Sequence, residues 1–581
     1  MATSVLPDLG DLARLNYRDD FARAVAEHRV RPLVIPYSLV ATSLVPPLWL
    51  AFSHAGRPWV YHSRWLVVGL VVAMDVGIIA GMSSANVASA YGAGLMGMWG
   101  ILSALHLLVW TRPQADAARA IKVARRDGLN DSSRLNGSTA KADSKLANKL
   151  GYGGGGGGEE RTDDNDVDNT GLRLRRLDGI AASSDSSYVV SKIKTSSTNH
   201  HANQHEDEDE GSDSDPDNDC VWQPFPEHDS FLQRLNWSMD FVTNFRCIGW
   251  NCSIRSVPLP QIPVRIRHGD HVSLDAMPVV SRSGYRRNLT TSEFVWTRLQ
   301  ALAVLYVVLD FLAVFMMKDP YFVLGPDRGA GLELPSHLRT LPSWALLTYR
   351  ELFTLAGIFS AISEMFVVHD LLQYYVFSRV FPIRKELWQY TSIFGSFSQV
   401  LDRGLAGWWG SWWHQTFRLQ FSSPAAYLIN NGYLTKGTLT AQVVTLYVSF
   451  FQSGLLHVSG SLSSMPETKL WRTPLFFFLQ PPGILIQVSL NWVVDTYLPR
   501  SPKMFRQGLN LVFALAWLQM TARFFCDDIA STGLWLLEPV PISPLRWLGF
   551  GHPNDHWWRL NRELFPKWHS GDHWWMTGLQ I

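Results

Sequence analysis

The segment LTAQVVTLYVSFFQSGLLHV (Leu439–Val458) decides which class of fold this chain can adopt. A helix that crosses a membrane needs about 20 mostly apolar residues, and this segment has that length without an Asp, Glu, Lys or Arg. Lipid offers no water to a free backbone, so such a run is expected to be helical. A single ionisable side chain, His457, lies near its end.

Other segments of the chain share this length and apolar character. They are Leu33–Phe52, Trp65–Ser84, Gly92–Trp110, Leu299–Met317, Leu346–Val367, Leu475–Val493, Leu509–Phe525 and Gly533–Phe550. Together they predict an all-α fold, a polytopic bundle of about eight to ten transmembrane helices. Some contain proline, such as Pro46-Pro47, and lipid tolerates this only where neighbouring helices satisfy the freed backbone groups.

The composition agrees with a membrane protein. Of 581 residues, 47% are hydrophobic, 25 are Trp and only 17% are charged, whereas soluble domains have about a quarter of their residues charged. The net charge is only +1, and the basic residues form no stripe with interleaved aromatics. Both observations argue against a nucleic-acid partner. The four cysteines have neither zinc-site spacing nor a disulfide framework, and we interpret them as ordinary thiols.

A polar stretch, residues 113–220, interrupts the apolar segments and contains Gly153–Gly158 and the acidic run Glu206–Glu210. Such a composition buries too little apolar surface to offset chain entropy, which predicts a disordered insert. We favour a tolerated loop insertion over a regulatory or partner-binding segment. The predicted parts of the chain are N-terminal transmembrane helices (1–112), the insert (113–220), an interfacial amphipathic segment (221–298), a transmembrane core (299–550) and an aromatic tail rich in His (551–581).

His457 is the first candidate for chemistry. An ionisable side chain at membrane depth is costly and therefore indicates a functional site. A neutral imidazole there can accept a proton from an attacking hydroxyl, because burial disfavours the charged form. The alternative is a structural histidine that bonds to a neighbouring helix, and position alone slightly favours that alternative.

The run GWWGSWWHQ (Gly407–Gln415) is the second candidate. Trp rings prefer the membrane interface, where the ring is apolar and the N–H is wet. The run therefore predicts an aromatic platform from which His414 and Gln415 point into a polar cavity. An aromatic belt alone accounts for the Trp residues but not for the His-Gln pair.

Two histidine pairs in the tail, His552/His556 and His569/His573, have a spacing of four residues. On a helix each pair would share a face suited to a metal. A proline and a glycine interrupt these stretches, however, and disfavour a helix. We therefore predict an interfacial aromatic tail and no metal site.

Three motifs, taken in order, resemble the wax-synthase branch of the membrane-bound O-acyltransferases. They are IFGSFS (Ile393–Ser398), WWGSWWHQ (Trp408–Gln415) and FQSGLLH (Phe451–His457). The stretches FRCIGWN (Phe245–Asn251) and Tyr306–Tyr321 resemble fungal members, which often acetylate secondary metabolites. The resemblance covers roughly residues 221–550, and the ordered combination is more specific than any single motif.

The resemblance implies that residues 299–550 form a catalytic core and that acyl-CoA is a co-substrate, with no bound cofactor. His457 matches the family's intramembrane histidine, taken as the general base. His414 matches the position where related enzymes carry an Asn, and it would orient the thioester or stabilise the oxyanion. The predicted substrate-binding residues are Trp409, Trp413, Gln415, Gln452 and Ser453.

One departure from the family pattern concerns the residue after the base. Val458 stands where many members have Glu, so another group must fix the tautomer of His457. Gln452 and Ser453 lie about one helical turn away and are the candidates.

The expected reaction transfers acetyl from acetyl-CoA to a lipophilic metabolite such as a terpenoid, in the endoplasmic reticulum membrane. A long-chain wax or sterol ester synthase is the alternative within the family. A di-iron desaturase would need closely spaced histidine boxes, whereas His369, His414 and His457 are scattered. A transporter without chemistry would suit the Pro-broken helices, but two halves with matching broken helices are not evident.

Overall fold

The computed structural model describes residues 8–123, 220–560 and 565–581. Its α-helices are α1 (Leu9–Ala26), α2 (Val40–Ser43), α3 (Val45–Leu50), α4 (Pro58–His62), α5 (Arg64–Gly81), α6 (Val87–Leu105), α7 (Pro113–Asp116), α8 (Phe231–Val242), α9 (Thr291–Met316), α10 (Pro320–Arg328), α11 (Ser336–Arg339), α12 (Ser343–Tyr375), α13 (Ser398–Gly407), α14 (Arg418–Asn430), α15 (Leu439–Ser463), α16 (Arg472–Phe478), α17 (Gln480–Tyr497), α18 (Lys503–Ser531) and α19 (Pro544–Trp547). The short strands are β1 (Arg31–Pro32), β2 (Val34–Ile35), β3 (Met82–Ser83), β4 (Ala118–Lys122), β5 (Cys220–Pro224), β6 (Lys567–His569) and β7 (Gly578–Gln580). Two π-helical turns, His106–Trp110 and Trp408–Trp412, follow α6 and α13.

In the described part of the chain, seven helical stretches are long and apolar enough to cross a membrane. They are Pro58–Gly81, Val87–Trp110, Thr291–Met316, Ser343–Arg379, Leu439–Ser463, Arg472–Tyr497 and Lys503–Ser531. The predicted all-α transmembrane bundle is confirmed by these stretches, which coincide with seven of the segments chosen from the sequence.

Two segments predicted to span are not continuous helices. Leu33–Phe52 divides into β2, a turn and the short helices α2 and α3, because its prolines remove backbone donors and block helix continuation. Gly533–Phe550 contains one 3₁₀ turn and α19, separated by an extended stretch that is also rich in proline. Apolar composition alone did not distinguish these packed segments from spanning helices.

The described ends of the predicted insert pair with each other. Strands β4 and β5 form an antiparallel ladder in which Lys122 lies opposite Cys220, and Trp222 on β5 is fully buried. The predicted boundary of the insert at residue 113 is therefore corrected, since α7 and β4 are ordered elements of the fold. The predicted disorder itself concerns residues 124–219, which lie outside the described residues.

Helix α8 (Phe231–Val242) lies within the predicted interfacial amphipathic segment, residues 221–298. Ser230 caps it in a capping box with Gln233. Its buried face carries Trp237, whose ring contacts Trp250 at 4.9 Å between centroids, whereas Leu232 on the opposite face is 74% exposed. The helix is therefore amphipathic, with one apolar face in the core.

The tail is tied to the N-terminal helix by ion pairs. Arg14 on α1 pairs with Glu538 at 2.6 Å, and Glu538 also accepts from Arg546 at 3.0 Å and from Arg559 at 2.8 Å. Farther along, β7 pairs antiparallel with both β6 and β2. Residues 565–581 are thus part of a small sheet with the N-terminal region.

Helices α6 and α15 approach each other so closely that their backbones nearly touch. The N–H of Gly94 donates to Ser463 Oγ at 2.9 Å, and that hydroxyl donates to the carbonyl of Ala90 at 2.6 Å. A Cβ at Gly94 would overlap the carbonyl oxygen of Ser459, and a Cβ at Gly460 would lie 2.8 Å from the Tyr91 ring. Small residues at such contacts allow transmembrane helices to pack at backbone distance.

We expect Gly94→Ala to destabilise the protein, because the added methyl group must displace the backbone of α15. Overpacking of this kind costs about 1–3 kcal/mol, which thermal unfolding in detergent would detect as a lower midpoint. Gly92→Ala is the matched control on the same helix, since a Cβ there meets nothing within 4 Å. Equal midpoints for the two variants would contradict the close helix contact.

Deleting residues 130–215 should leave membrane insertion and the unfolding midpoint almost unchanged. The reason is geometric: Lys122 and Cys220 are already paired neighbours, so the remaining linker has almost no distance to cross. Membrane fractionation and circular dichroism of the purified variant would check this. Loss of the folded protein would show that the deleted residues support the bundle.

Candidate active site

A largely apolar cavity of about 330 Å³ opens inside the helical core. Helices α12 and α18 form one side, and α14, α15 and α16 contribute to the others. The sequence-predicted residues that line this cavity are His414, His457, Trp409, Trp413, Gln415 and Ser453. Two histidines that are far apart along the chain therefore share one chamber.

His457 reaches the cavity from the middle of the close contact between α6 and α15. Its ring stacks on Phe477 with centroids 5.0 Å apart and a 9° interplanar angle, and it meets the edge of Phe525 at 5.3 Å. These aromatic contacts fix the plane of the imidazole. The ring can therefore present one nitrogen to the cavity in a defined direction.

Tyr91 on α6 is the hydrogen-bond partner of His457, and the sequence analysis missed it. The Tyr91 hydroxyl lies 3.3 Å from Nδ1 of His457 and 3.4 Å from the carbonyl oxygen of the same residue. A hydroxyl that donates to the carbonyl can accept from Nδ1–H. That arrangement leaves the lone pair on Nε2, which has no protein partner among the described residues.

The sequence contained one signal for Tyr91 that was not used. Tyr91 precedes a stretch rich in small residues, and a polar ring beside small residues in an apolar helix marks a close helix contact. Its partner lies 366 positions away, and a single sequence gives no pairing between α6 and α15. Gly460, one turn beyond His457, leaves the space that the Tyr91 ring fills.

The chain reaches His414 through a bend and a widened helical turn. Gly404 has φ +57°, a conformation that favours glycine, and the next N–H, of Leu405, donates to Gln487 at 2.8 Å. The π-helical turn Trp408–Trp412 follows, and such turns are frequent at functional sites. The turn ends two residues before His414 and so brings its ring to the cavity wall.

His414 lies among aromatic rings, and its Nδ1 is 3.0 Å from the Thr416 hydroxyl. Burial lowers the pKa of His414 to about 3, with His457 and Arg246 adding to the effect. The imidazole is therefore neutral at physiological pH. With Thr416 donating to Nδ1, the remaining N–H on Nε2 becomes available to a ligand.

Gln415 is committed to the protein, although it lines the cavity. Its amide nitrogen donates to the carbonyls of Trp409 and Trp413 at 2.9 and 2.6 Å, and its carbonyl oxygen accepts from Arg418 at 2.7 Å. Arg418 also donates to Gly410 at 2.8 Å. The side chain of Gln415 thus braces the widened turn, and its predicted contact with substrate stays a prediction.

The Trp side chains form part of an apolar cavity wall, whereas the sequence predicted an aromatic platform beside a polar cavity. Trp409 donates from its indole N–H to Gln480 at 3.2 Å and packs edge-on against Phe450 at 5.8 Å. Trp413 lies beside His414, with ring centroids 5.4 Å apart. Both rings leave their flat surfaces for contact with an apolar ligand.

The predicted place of Gln452 in the site is corrected. Its amide donates to the carbonyls of Phe421 and Val448 at 2.9 and 3.2 Å, and it does not line the cavity. On a helix, Gln452 and Ser453 are about 100° apart, so only one of them faces the chamber. Ser453 takes that position, one turn before His457, and neither residue bonds to the imidazole.

No group of three His, Cys, Asp or Glu side chains suited to a metal occurs in residues 8–123, 220–560 and 565–581. The tail histidines lie outside any long helix: His556 bonds to the backbone of Trp558, and His573 stacks on Trp575. The spacing of four residues therefore does not place either pair on one helical face.

Comparisons with known proteins point to one family. Residues 390–479 match the Membrane bound O-acyl transferase family, and this range holds the π-helical turn, His414 and His457. The chain is also 24% identical to acetyltransferase aurG of Calcarisporium arbuscula over 34% of this chain and 46% of that protein. Acetyltransferase eriL of Hericium erinaceus is 23% identical over 56% and 74% of the two chains, and acetyltransferase ple2 of Rhodocybe pseudopiperita is 25% identical over 50% and 65%.

These similarities have a limited span. The aligned region covers about half of the first of these relatives and roughly two thirds or more of the other two. No solved structure gives a significant match. The resemblance seen in the motifs is nevertheless confirmed: the chain is similar to the membrane bound O-acyl transferases over residues 390–479 and to acetyltransferases from fungi.

Proposed function

We propose that the protein transfers an acetyl group from acetyl-CoA to a hydroxyl of a lipophilic metabolite, such as a terpenoid, within the membrane. The observation that carries the proposal is the shared chamber: His414 and His457 line one cavity among apolar helices. The printed names of the fungal relatives support acetyl as the transferred group. The apolar wall of the cavity supports a lipophilic acceptor.

His457 acts as the general base in the proposed reaction. The acceptor hydroxyl donates its proton to Nε2 as its oxygen attacks the thioester carbonyl, because an alcohol is too weak a nucleophile without a base in hydrogen-bond reach. The Tyr91 hydroxyl accepts from Nδ1–H and so keeps the lone pair on Nε2. Tyr91 is therefore a positioning residue that replaces the missing Glu at position 458.

His414 stabilises the tetrahedral intermediate. A neutral imidazole donates Nε2–H to the oxyanion as negative charge develops there. The C–S bond then breaks, the CoA sulfur takes the proton held by His457, and the products are the ester and free CoA. The thiolate is a good leaving group, so the protein need not form a covalent intermediate.

The direct test incubates membranes that carry the protein with labelled acetyl-CoA or palmitoyl-CoA and a hydroxylated lipid extract. We expect label from acetyl-CoA in an ester that alkali releases. Label from palmitoyl-CoA alone would identify a long-chain ester synthase. An absence of ester from both donors would contradict acyl transfer to these alcohols.

His457→Ala should abolish transfer while the protein remains in the membrane, because the attacking hydroxyl loses its base. Label incorporation and detergent-extracted protein amount measure the two effects. The matched control is His369→Ala, since His369 on α12 is exposed, lies beside Gln373 and Asp370 and is outside the cavity. Full activity in the His457 variant would reject the base assignment.

Tyr91→Phe should lower kcat about fivefold and leave KM for acetyl-CoA nearly unchanged. One lost hydrogen bond is worth about 1 kcal/mol, and this bond orders the base without touching the donor. We also expect the acid limb of the pH–rate profile to shift, because the tautomer of His457 is no longer fixed. An unchanged kcat and profile would show that Tyr91 only fills space.

His414→Gln should retain more activity than His414→Ala, because Gln keeps a neutral N–H donor. Removing an oxyanion donor costs about 10²–10³ in kcat, and we expect the Ala variant to lose that much. A group with its pKa lowered to about 3 is protonated only below that value, so neither variant should change the pH–rate profile between about pH 5.5 and 8. An acid limb that disappears in the Gln variant would mean that His414 itself titrates there.

A further inference from the structure

The apolar cavity has a polar patch that the proposed chemistry does not use. Glu351 and Thr354 lie about one turn apart on α12, and both line the chamber. Glu351 is only 9% exposed and Thr354 only 1%. A carboxyl group and a hydroxyl group therefore face the same space as the two histidines.

Both side chains have unused hydrogen-bonding capacity. In the described part of the chain, Oε1 of Glu351 is buried without a hydrogen-bond partner. The Thr354 hydroxyl, beside the Cys526 thiol, has no nitrogen or oxygen partner there. Buried polar groups in folded proteins are almost always paired, so each orphan requires an explanation.

Neighbouring polar groups do not satisfy this pair. Thr348, one turn earlier on α12, donates to Gln519 of α18 at 3.2 Å. Asp527 accepts from the Tyr321 hydroxyl at 2.9 Å, on the side of α18 that faces α10. Thr348 and Asp527 therefore bond to other side chains of the protein, whereas Glu351 and Thr354 line the cavity.

We propose that Glu351 and Thr354 form a subsite for a second hydroxyl group of the acceptor. The substrate hydroxyl donates a hydrogen bond to Oε1 of Glu351, and the Thr354 hydroxyl donates a hydrogen bond to the oxygen of the same group. This inference rests on the proposed transfer at His457 and specifies its substrate class: an apolar molecule with two separated hydroxyl groups. One hydroxyl is acylated, and the other orients the molecule.

The experiment measures binding apart from turnover. The change in intrinsic Trp fluorescence on titration measures how tightly the purified protein binds three probes. They are decanol, the ten-carbon diol with a hydroxyl at each end, and decylamine. Trp409 and Trp413 in the cavity wall contribute to this signal. Terminal diols of six, eight and twelve carbons test the spacing between the two hydroxyls. Acetylation of the same probes with labelled acetyl-CoA reports transfer.

We expect at least one diol to bind about tenfold more tightly than decanol, which is the effect of one good hydrogen bond in a buried site. Glu351→Leu should reduce this advantage to about twofold, and Thr354→Val, which keeps the side-chain shape, should reduce it partially. Glu364→Leu is the control, because Glu364 lies on the same helix but does not line the cavity. It should retain the full advantage.

The remaining outcomes contradict either the hydroxyl subsite or the proposed acetyl transfer, but not both. Equal affinity for decanol and every diol, or a diol advantage that survives both Glu351→Leu and Thr354→Val, removes the hydroxyl subsite. If the protein prefers decylamine and Glu351→Leu abolishes this preference, the subsite binds an ammonium group and not a hydroxyl group. Tight diol binding without any acetylation keeps the subsite and contradicts the proposed transfer.

Discussion

The contact between α6 and α15 determines where His457 lies and which group bonds to its imidazole. Two transmembrane helices rarely approach at backbone distance unless small residues line the interface, and here Gly94 and Gly460 provide that space. The hydroxyl of Ser463 fastens the contact by bonding to two backbone groups of α6. In lipid there is little hydrophobic force between helices, so close packing and these polar contacts must hold them together.

This close approach explains how a membrane-buried imidazole could work without an acidic partner. A charged Glu next to His457 would need its own compensation in a low-dielectric environment. The Tyr91 hydroxyl supplies the hydrogen bond without a charge, and the stacked Phe477 ring limits rotation. The buried His414 carries no charge either, so the chamber joins two neutral imidazoles in apolar surroundings.

The sequence was sufficient for most of the architecture and for several of the residues that face the cavity. Length and apolarity identified seven spanning helices, and helical and motif spacing identified His414, His457 and the Trp wall. It failed where proline broke apolar runs, as in Leu33–Phe52, and where the outcome depended on which helices meet. Tyr91, Glu351 and the amide bonds of Gln415 and Gln452 depend on contacts between distant parts of the chain, which periodicity within one segment does not encode.

The paired strands β4 and β5 have a consequence for how this fold tolerates change. Lys122 and Cys220 lie on adjacent paired strands, so a connection of any length between them begins and ends at the same place. The entropic cost of closing such a loop grows only slowly with its length. Natural variation can therefore accumulate there freely. A foreign domain with neighbouring termini, such as a fluorescent reporter, could be grafted at this point while the helices assemble as before.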